Sequence, residues 1–309
     1  MRIGYRRVAG KIGLTNQEEG VRGAWVEKRL ALFKSFQKHG HKVVCFSFCT
    51  PQTEEKGMKG SEEYQPVDVL VLEFGGTNQQ FYGDYWLKTI EIVKKHKGRI
   101  IFINDDPDLP FLWKLLPDED WSRWTLAVNA ANPLKAKEIL KAPKAVKAVD
   151  YPMNSGMPFA DFNEGKIPKA VYIGRAGGRK DYFKEFLKSD KLDIAGKEAE
   201  WIDFHCKVIP NPQQRLRRAF YAQYRACLAV FDDKHKDSGW RTGRAYHALY
   251  AGIPVIAPEG NAGLFWCAKV KQAQDIDVFV NQPKEVRKRI WEQQKDFVQK
   301  QSEIDLLAL

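Results

Sequence analysis

Apolar and polar positions along the chain follow two periods that take turns. The opening Arg2-Ile3-Gly4-Tyr5 predicts a short strand, and a loop rich in glycine and basic residues follows, through Arg6, Arg7, Gly10, Lys11 and Gly13. From about Gly23 to His39 the apolar Val26, Leu30 and Phe33 recur at four and three residues, which places them on one stripe of a helix. Gly40 closes that helix, and Val43 to Phe46 is an apolar run of strand length. The succession repeats as a strand over Val67 to Phe74, a helix over Phe81 to His96 and a strand over Arg99 to Asn104. Strands that alternate with amphipathic helices predict a parallel sheet covered by helices.

Turn residues crowd the stretch from Asp150 to Lys169, where Pro152, Gly156, Pro158, Gly165 and Pro168 mark a domain boundary. Beyond it the spacing predicts strands over Ala170 to Ile173, Leu192 to Ala195, Cys227 to Phe231 and Pro254 to Ala257. Helices are expected over Asp181 to Leu187, Pro212 to Tyr224 and Thr242 to Tyr250, the last closed by Gly252. Pro283 to Lys300 reads as a basic amphipathic helix. No repeat of the kind that builds solenoids is present. A chain of 309 residues has room for about two domains. The expected architecture is α/β, with two doubly wound, Rossmann-like domains over residues 1–160 and 161–290 and a C-terminal helix over 291–309 packing back on the first.

Composition narrows the class. With 44% hydrophobic and 12% aromatic residues the chain is a core-forming globular protein, which excludes disordered and fibrous classes. No apolar run approaches the ~20 residues of a membrane span, and the N-terminus lacks the apolar region of a signal peptide. A cytoplasmic protein without a membrane partner is expected. Five scattered cysteines read as small buried hydrophobes. Cys45 and Cys49, with His41 upstream, lack a second ligand pair at zinc-like spacing, so no metal site is expected. Fifty Lys+Arg against 39 Asp+Glu leave a net charge of +11, which favours a polyanionic partner.

Three segments carry candidate chemistry. In the strand–loop–helix over 170–187, Gly174, Gly177 and Gly178 let an anion approach the backbone, and Arg175, Arg179 and Lys180 supply charge. The loop has neither the Walker A ending nor the dinucleotide fingerprint, and an ordinary turn with solvated charges is its plainer alternative. A second loop, Asp237-Ser238-Gly239-Trp240-Arg241-Thr242-Gly243-Arg244, precedes a helix for which Thr242 is the expected N-cap. Third, the strand over Arg99 to Asn104 runs into Asp105, Asp106 and Asp108. Adjacent carboxylates raise one another's pKa, which suits Asp106 or Asp105 to general-base work, with Asp84 in reserve. Capping of a turn is the competing reading.

The segment from Ser238 to Ile256, which ends in Gly252-Ile253-Pro254-Val255-Ile256, resembles the nucleotide-binding helix of GT-B glycosyltransferases and its turn into the next strand. Met1 to Val44 resembles the start of the same fold. The likeness runs through the whole chain in outline, with its specificity in these two segments. It implies two Rossmann-like domains facing each other across a cleft, the donor nucleotide on the C-terminal one and the acceptor on the N-terminal one. Gly174, Arg175, Arg179 and Lys180 then match the diphosphate-binding loop. Val208 to Pro210, after a short strand near Phe204, matches the base-binding segment. Gly239, Thr242, Gly243, Arg244 and His247 belong to the donor helix. His247 stands where many retaining members carry the glutamate that holds the ribose.

Arg6, Arg7, Lys11 and Arg22, together with Gly75 and Gly76 of the Glu73 to Asn78 turn, are the expected acceptor-binding residues. The charge and the basic early loop make the chain similar to the bacteriophage DNA glycosyltransferases that decorate 5-hydroxymethylpyrimidines. That resemblance implies a UDP-sugar co-substrate, no tightly bound cofactor, double-stranded DNA as acceptor, a monomer and an infected host's cytoplasm. Two alternatives stand beside it. One keeps the fold with a polysaccharide or lipid-precursor acceptor, the tail helix lying on a membrane surface. The other is a non-catalytic nucleic-acid-binding protein on a nucleotide-binding fold.

Overall fold

Short apolar runs separated by amphipathic helices resolve into two parallel sheets. The computed structural model describes residues 1–8, 32–48, 64–73, 79–104, 112–151, 158–212, 216–301 and 305–308. They gather into two units: residues up to Tyr151 with Asp305–Ala308 form the first, and Pro158–Gln301 form the second.

The first unit holds β1 (Arg2–Val8), β2 (Lys42–Phe48), β3 (Val69–Glu73), β4 (Arg99–Asn104), β5 (Trp124–Val128) and β6 (Lys147–Asp150). They lie in the order β2-β1-β3-β4-β5-β6, and all pairings are parallel. β3 and β5 are buried along their whole length, and only Arg99 of β4 is not, so the central strands read as apolar runs. One sheet face packs Ile3, Tyr5, Val71 and Ile101 against Leu32, Phe33 and Phe36 of a helix over 32–38 and against Leu306 and Leu307. The other meets the helix Gln79–Lys95, where Trp86 packs edge-on to Phe102 at 6.1 Å. Sequence analysis gives no strand for β5 or β6. β6 is an outer strand whose Lys147 is exposed and whose short run carries little apolar signal.

Alternation along β1 turns Arg6 toward the helix side, and this corrects its assignment to an acceptor-facing loop. Arg6 is fully buried; its Nε donates to Thr89 Oγ1 at 3.1 Å, and its guanidinium lies 5.1 Å from the centre of the Tyr85 ring. The Tyr85 hydroxyl donates in turn to the Glu73 carbonyl at 2.7 Å. Arg6 is a buried core group.

The second unit holds β7 (Ile167–Ile173), β8 (Leu192–Gly196), β9 (Val208–Pro210), β10 (Tyr224–Leu228), β11 (Val255–Pro258) and β12 (Ala268–Val270). Their order is β12-β11-β10-β7-β8-β9, again parallel throughout. Read from β9 and counted from β7, this is the doubly wound 3-2-1-4-5-6 order, which reverses between β7 and β10. The helices Gly243–Tyr250 and Lys284–Gln301 cover one face through Ala248, Leu249, Trp291 and Val298. Lys180–Phe186 and Ala273–Val280 cover the other through Phe183, Phe186, Ile276 and Phe279.

Several sequence expectations shift here. The strand expected to end at Phe231 ends at Leu228. The helix expected over Pro212 to Tyr224 is described only over Arg217–Tyr221, because Tyr224 already begins β10. Near Phe204 there is a single 3-10 turn, Ile202–Phe204, and the strand is Val208–Pro210 itself. The tail helix belongs to the second unit, and only the residues after it join the first, where Arg99 Nη1 donates to the Leu307 carbonyl at 2.8 Å.

Gln294 shows what fastens that helix. Its Oε1 accepts from Val255 N at 2.9 Å and its Nε2 donates to Val255 O at 2.8 Å, completing both backbone groups of a buried residue. The near-isosteric Gln294→Leu orphans both groups and is expected to cost about 2–4 kcal/mol of unfolding free energy. Denaturant titration checks this, and a cost below about 0.5 kcal/mol contradicts it.

Candidate functional site

In an open parallel sheet, ligands bind beyond the carboxyl ends of the strands where the strand order reverses. In the second unit this point lies between β7 and β10, and the loops that leave these two strands meet there. β7 runs out into Gly174-Arg175-Ala176-Gly177-Gly178-Arg179 before the helix Lys180–Phe186 begins, and β10 runs out into Ala229-Val230-Phe231-Asp232.

Arg179 joins the two. It is only 5% exposed; Nη1 donates to the Gly177 carbonyl at 2.9 Å, Nε to the Val230 carbonyl at 3.3 Å, and Nη2 stands 3.7 Å from Asp232 Oδ2. Gly178 has φ +70°, and a side chain there would run into the Asp232 carboxylate. Burial pushes the Arg179 pKa down from its ordinary value. The nearby positive charges of Arg244 and Arg175 push the same way, while Asp232 opposes them. Three guanidinium groups gathered around one loop form an arrangement that a bound anion relieves.

Arg244 comes from the segment between β10 and β11. Thr242 caps the helix Gly243–Tyr250, its Oγ1 accepting from Arg244 N at 3.4 Å and from Arg244 Nη1 at 3.5 Å. The guanidinium then lies over the Tyr172 ring, 5.3 Å from its centre. It fills the space beside Gly174, so close that any Cβ at Gly174 would collide with it. The loop that carries Arg241 is locked to the one after β11: Asn261 Nδ2 donates to the Trp240 carbonyl at 3.0 Å, and Gly263 leaves room for the Gly239 carbonyl.

The structure thus brings together Gly174, Arg175, Arg179 and Arg244, with Arg175 exposed and Arg244 half-buried. Thr242, Gly243 and the half-buried His247 share the helix that presents Arg244. Lys180 stands apart: it is exposed and paired with Asp203 at 2.7 Å. Val208 and Pro210 lie on β9, the outermost strand beside β8. Asp84 is exposed on the helix Gln79–Lys95. Asp105, Asp106, Lys11, Arg22, Gly75 and Gly76 lie outside the described residues, as does the Arg7 side chain.

Sequence reasoning missed Asp232, whose partner Arg179 is far off along the chain. Glu73, which opens the turn named from the sequence, is a buried carboxylate ending β3 that accepts from the Tyr5 hydroxyl at 3.2 Å. Among the described residues no cluster of His, Cys, Asp and Glu is arranged to hold a metal ion, and no helix is long and apolar enough to cross a membrane. Burial pushes the Cys227 thiol up to about 12, so it packs as a neutral side chain.

No protein-family model matches the sequence, and no curated protein matches it. Solved structures do. The T4 phage BGT in complex with its UDP-glucose substrate superposes with a TM-score of 0.66 at 15% identity, covering 98% of this chain and 95% of that one. The chain has the GT-B fold. An alpha-glucosyltransferase in complex with UDP and a 13-mer DNA containing a HMU base matches with a TM-score of 0.59 at 11% identity, over 96% of this chain and 95% of the other. The trehalose 6-phosphate synthase from Burkholderia multivorans shares the same GT-B plan, with a TM-score of 0.52 at 9% identity over 97% and 94% of the two chains.

The two neighbouring glycines of the loop after β7 separate strain from space. Gly178 is left-handed and faces Asp232, whereas a Cβ at Gly177 meets nothing within 4 Å. Gly178→Ala is expected to lower stability by about 1–2 kcal/mol and Gly177→Ala by less than about 0.5 kcal/mol. Thermal or chemical unfolding reads the difference, and equal costs for the two variants contradict it.

Proposed function

We propose that this GT-B chain is a glycosyltransferase that moves a sugar from a UDP-sugar to the hydroxyl of a 5-hydroxymethylpyrimidine base in double-stranded DNA. The observation that carries the donor half is the meeting of the Arg244 guanidinium with the Gly174 turn at the reversal point of a Rossmann-type sheet. A diphosphate seated there meets Arg175 and Arg244 from two separate stretches of chain. Arg179, turned inward, keeps the loop in shape instead of gripping the ligand. The acceptor half is supported by the likeness to two solved glucosyltransferases, one of them bound to DNA, and by the net charge of +11.

The reaction asks three things of the chain. A carboxylate, Asp106 or Asp105 beyond β4 with Asp84 in reserve, takes the proton of the base hydroxymethyl group. The freed oxygen bonds to the anomeric carbon of the sugar as the bond from that carbon to the diphosphate oxygen breaks, and UDP departs with the electron pair. Arg175 and Arg244 stabilise the charge that gathers on the diphosphate. The target base leaves the helical stack to reach the donor, and phosphate contacts hold the duplex, which makes the activity salt-sensitive.

The test measures UDP release from UDP-sugars with hydroxymethylated duplex DNA, with unmodified DNA and without DNA. Release that depends on the hydroxymethylated base and falls by about 100-fold or more in Arg244→Ala is the expected outcome. Turnover on a saccharide or lipid acceptor and never on DNA overturns the acceptor. DNA binding that is unchanged in Arg175→Ala, with no affinity for any UDP-sugar, overturns the enzyme.

A further inference from the structure

A loop binds a diphosphate through its backbone only if its amide groups face the ligand, and in the second unit two buried aromatic side chains fix which way they face. The carbonyl of Gly174 accepts a hydrogen bond from Trp201 Nε1 at 2.9 Å, and the carbonyl of Arg175 accepts one from the Tyr172 hydroxyl at 3.0 Å. In a trans peptide the N–H points opposite to the carbonyl of the same unit. The N–H groups of Arg175 and Ala176 are therefore turned away from these two donors. Among the described residues, neither they nor the N–H groups of Gly177 and Gly178 meet an acceptor. Successive amides left without a protein acceptor are the donors from which an anion cradle is built.

The two donors are themselves immobilised. Tyr172 is fully buried and Trp201 is 1% exposed; their rings pack at 5.7 Å and both close on Phe183, at 4.7 and 4.6 Å. Gly196, at the end of β8, keeps open the gap through which the indole reaches, since a Cβ there would approach the Gly174 carbonyl oxygen to 2.6 Å and Trp201 Nε1 to 2.9 Å. Tyr172 has a second task, because its ring is the surface under the Arg244 guanidinium. One side chain thus sets the direction of a loop amide and the height of the arginine opposite it.

We propose that Tyr172 and Trp201 are positioning residues of the diphosphate site, acting through the Gly174 and Arg175 carbonyls, an inference that rests on the donor-site reading above. Neither touches the ligand. Removing the Tyr172 hydroxyl frees the 175–176 peptide to rotate while the ring under Arg244 stays, so the loss falls on the phosphates and not on the nucleoside.

The experiment measures UDP binding to the full chain by calorimetry and uridine binding by competition, for the unaltered protein, Tyr172→Phe and Trp201→Phe. Each variant is expected to bind UDP about tenfold more weakly, the size of one hydrogen bond, while uridine affinity stays within about twofold. UDP affinity within about twofold of the unaltered protein in Tyr172→Phe overturns the inference. So does a parallel loss of UDP and uridine, which marks general damage to the fold. If Tyr172→Phe does not fold, Trp201→Phe carries the same comparison. An unaltered protein that binds no UDP overturns the donor reading itself, a result distinct from the other two.

Discussion

The buried guanidinium of Arg179 sets the form of the second unit's binding end. Taking a charge out of water is costly unless its donors are matched. Here two carbonyls and a carboxylate, contributed by the loops after β7 and β10, match it. The two loops cannot part without exposing those groups unpaired, so their spacing is fixed before any ligand arrives. Gly178 then accepts the close approach of Asp232, Gly174 accepts that of Arg244, and Trp201 and Tyr172 hold the carbonyls between them. On the proposed reading, pre-organisation of this kind lets a diphosphate bind without first ordering its receptor.

Much of this plan was legible in the sequence, and the physics says which part. The alternation of strand-length apolar runs with helical stripes gave two α/β halves, and Thr242 followed by small and apolar residues gave the helix that the structure begins at Gly243. The outer strands β6, β9 and β12 were invisible or displaced, because these three are short and partly exposed and leave little apolar trace. Charge misled most. Arg6 read as an acceptor contact and Arg179 as part of a diphosphate-binding loop, and both are buried, since burial of an arginine depends on carbonyls, hydroxyls and rings brought by distant strands and helices. Trp201, likewise, lies 27 residues from the carbonyl it serves, and no local pattern links the two.

The fold and the acceptor are separate questions. T4 phage BGT and a trehalose 6-phosphate synthase share this chain's plan over nearly its whole length. A shared plan therefore does not name the acceptor, which is chosen by side chains mounted on the fold. In the first unit the buried Glu73 ends β3, beside β4 in the sheet. On the proposed reading, the excess of positive charge acts at longer range and concentrates a phosphate-rich acceptor.

A crystal structure of the protein soaked with UDP tests the central claim most directly. Both phosphates are predicted to lie against the 175–178 amides with the Arg244 guanidinium closing on them from the opposite helix. A diphosphate bound elsewhere in the second unit, with Arg175 and Arg244 turned to solvent, would contradict it.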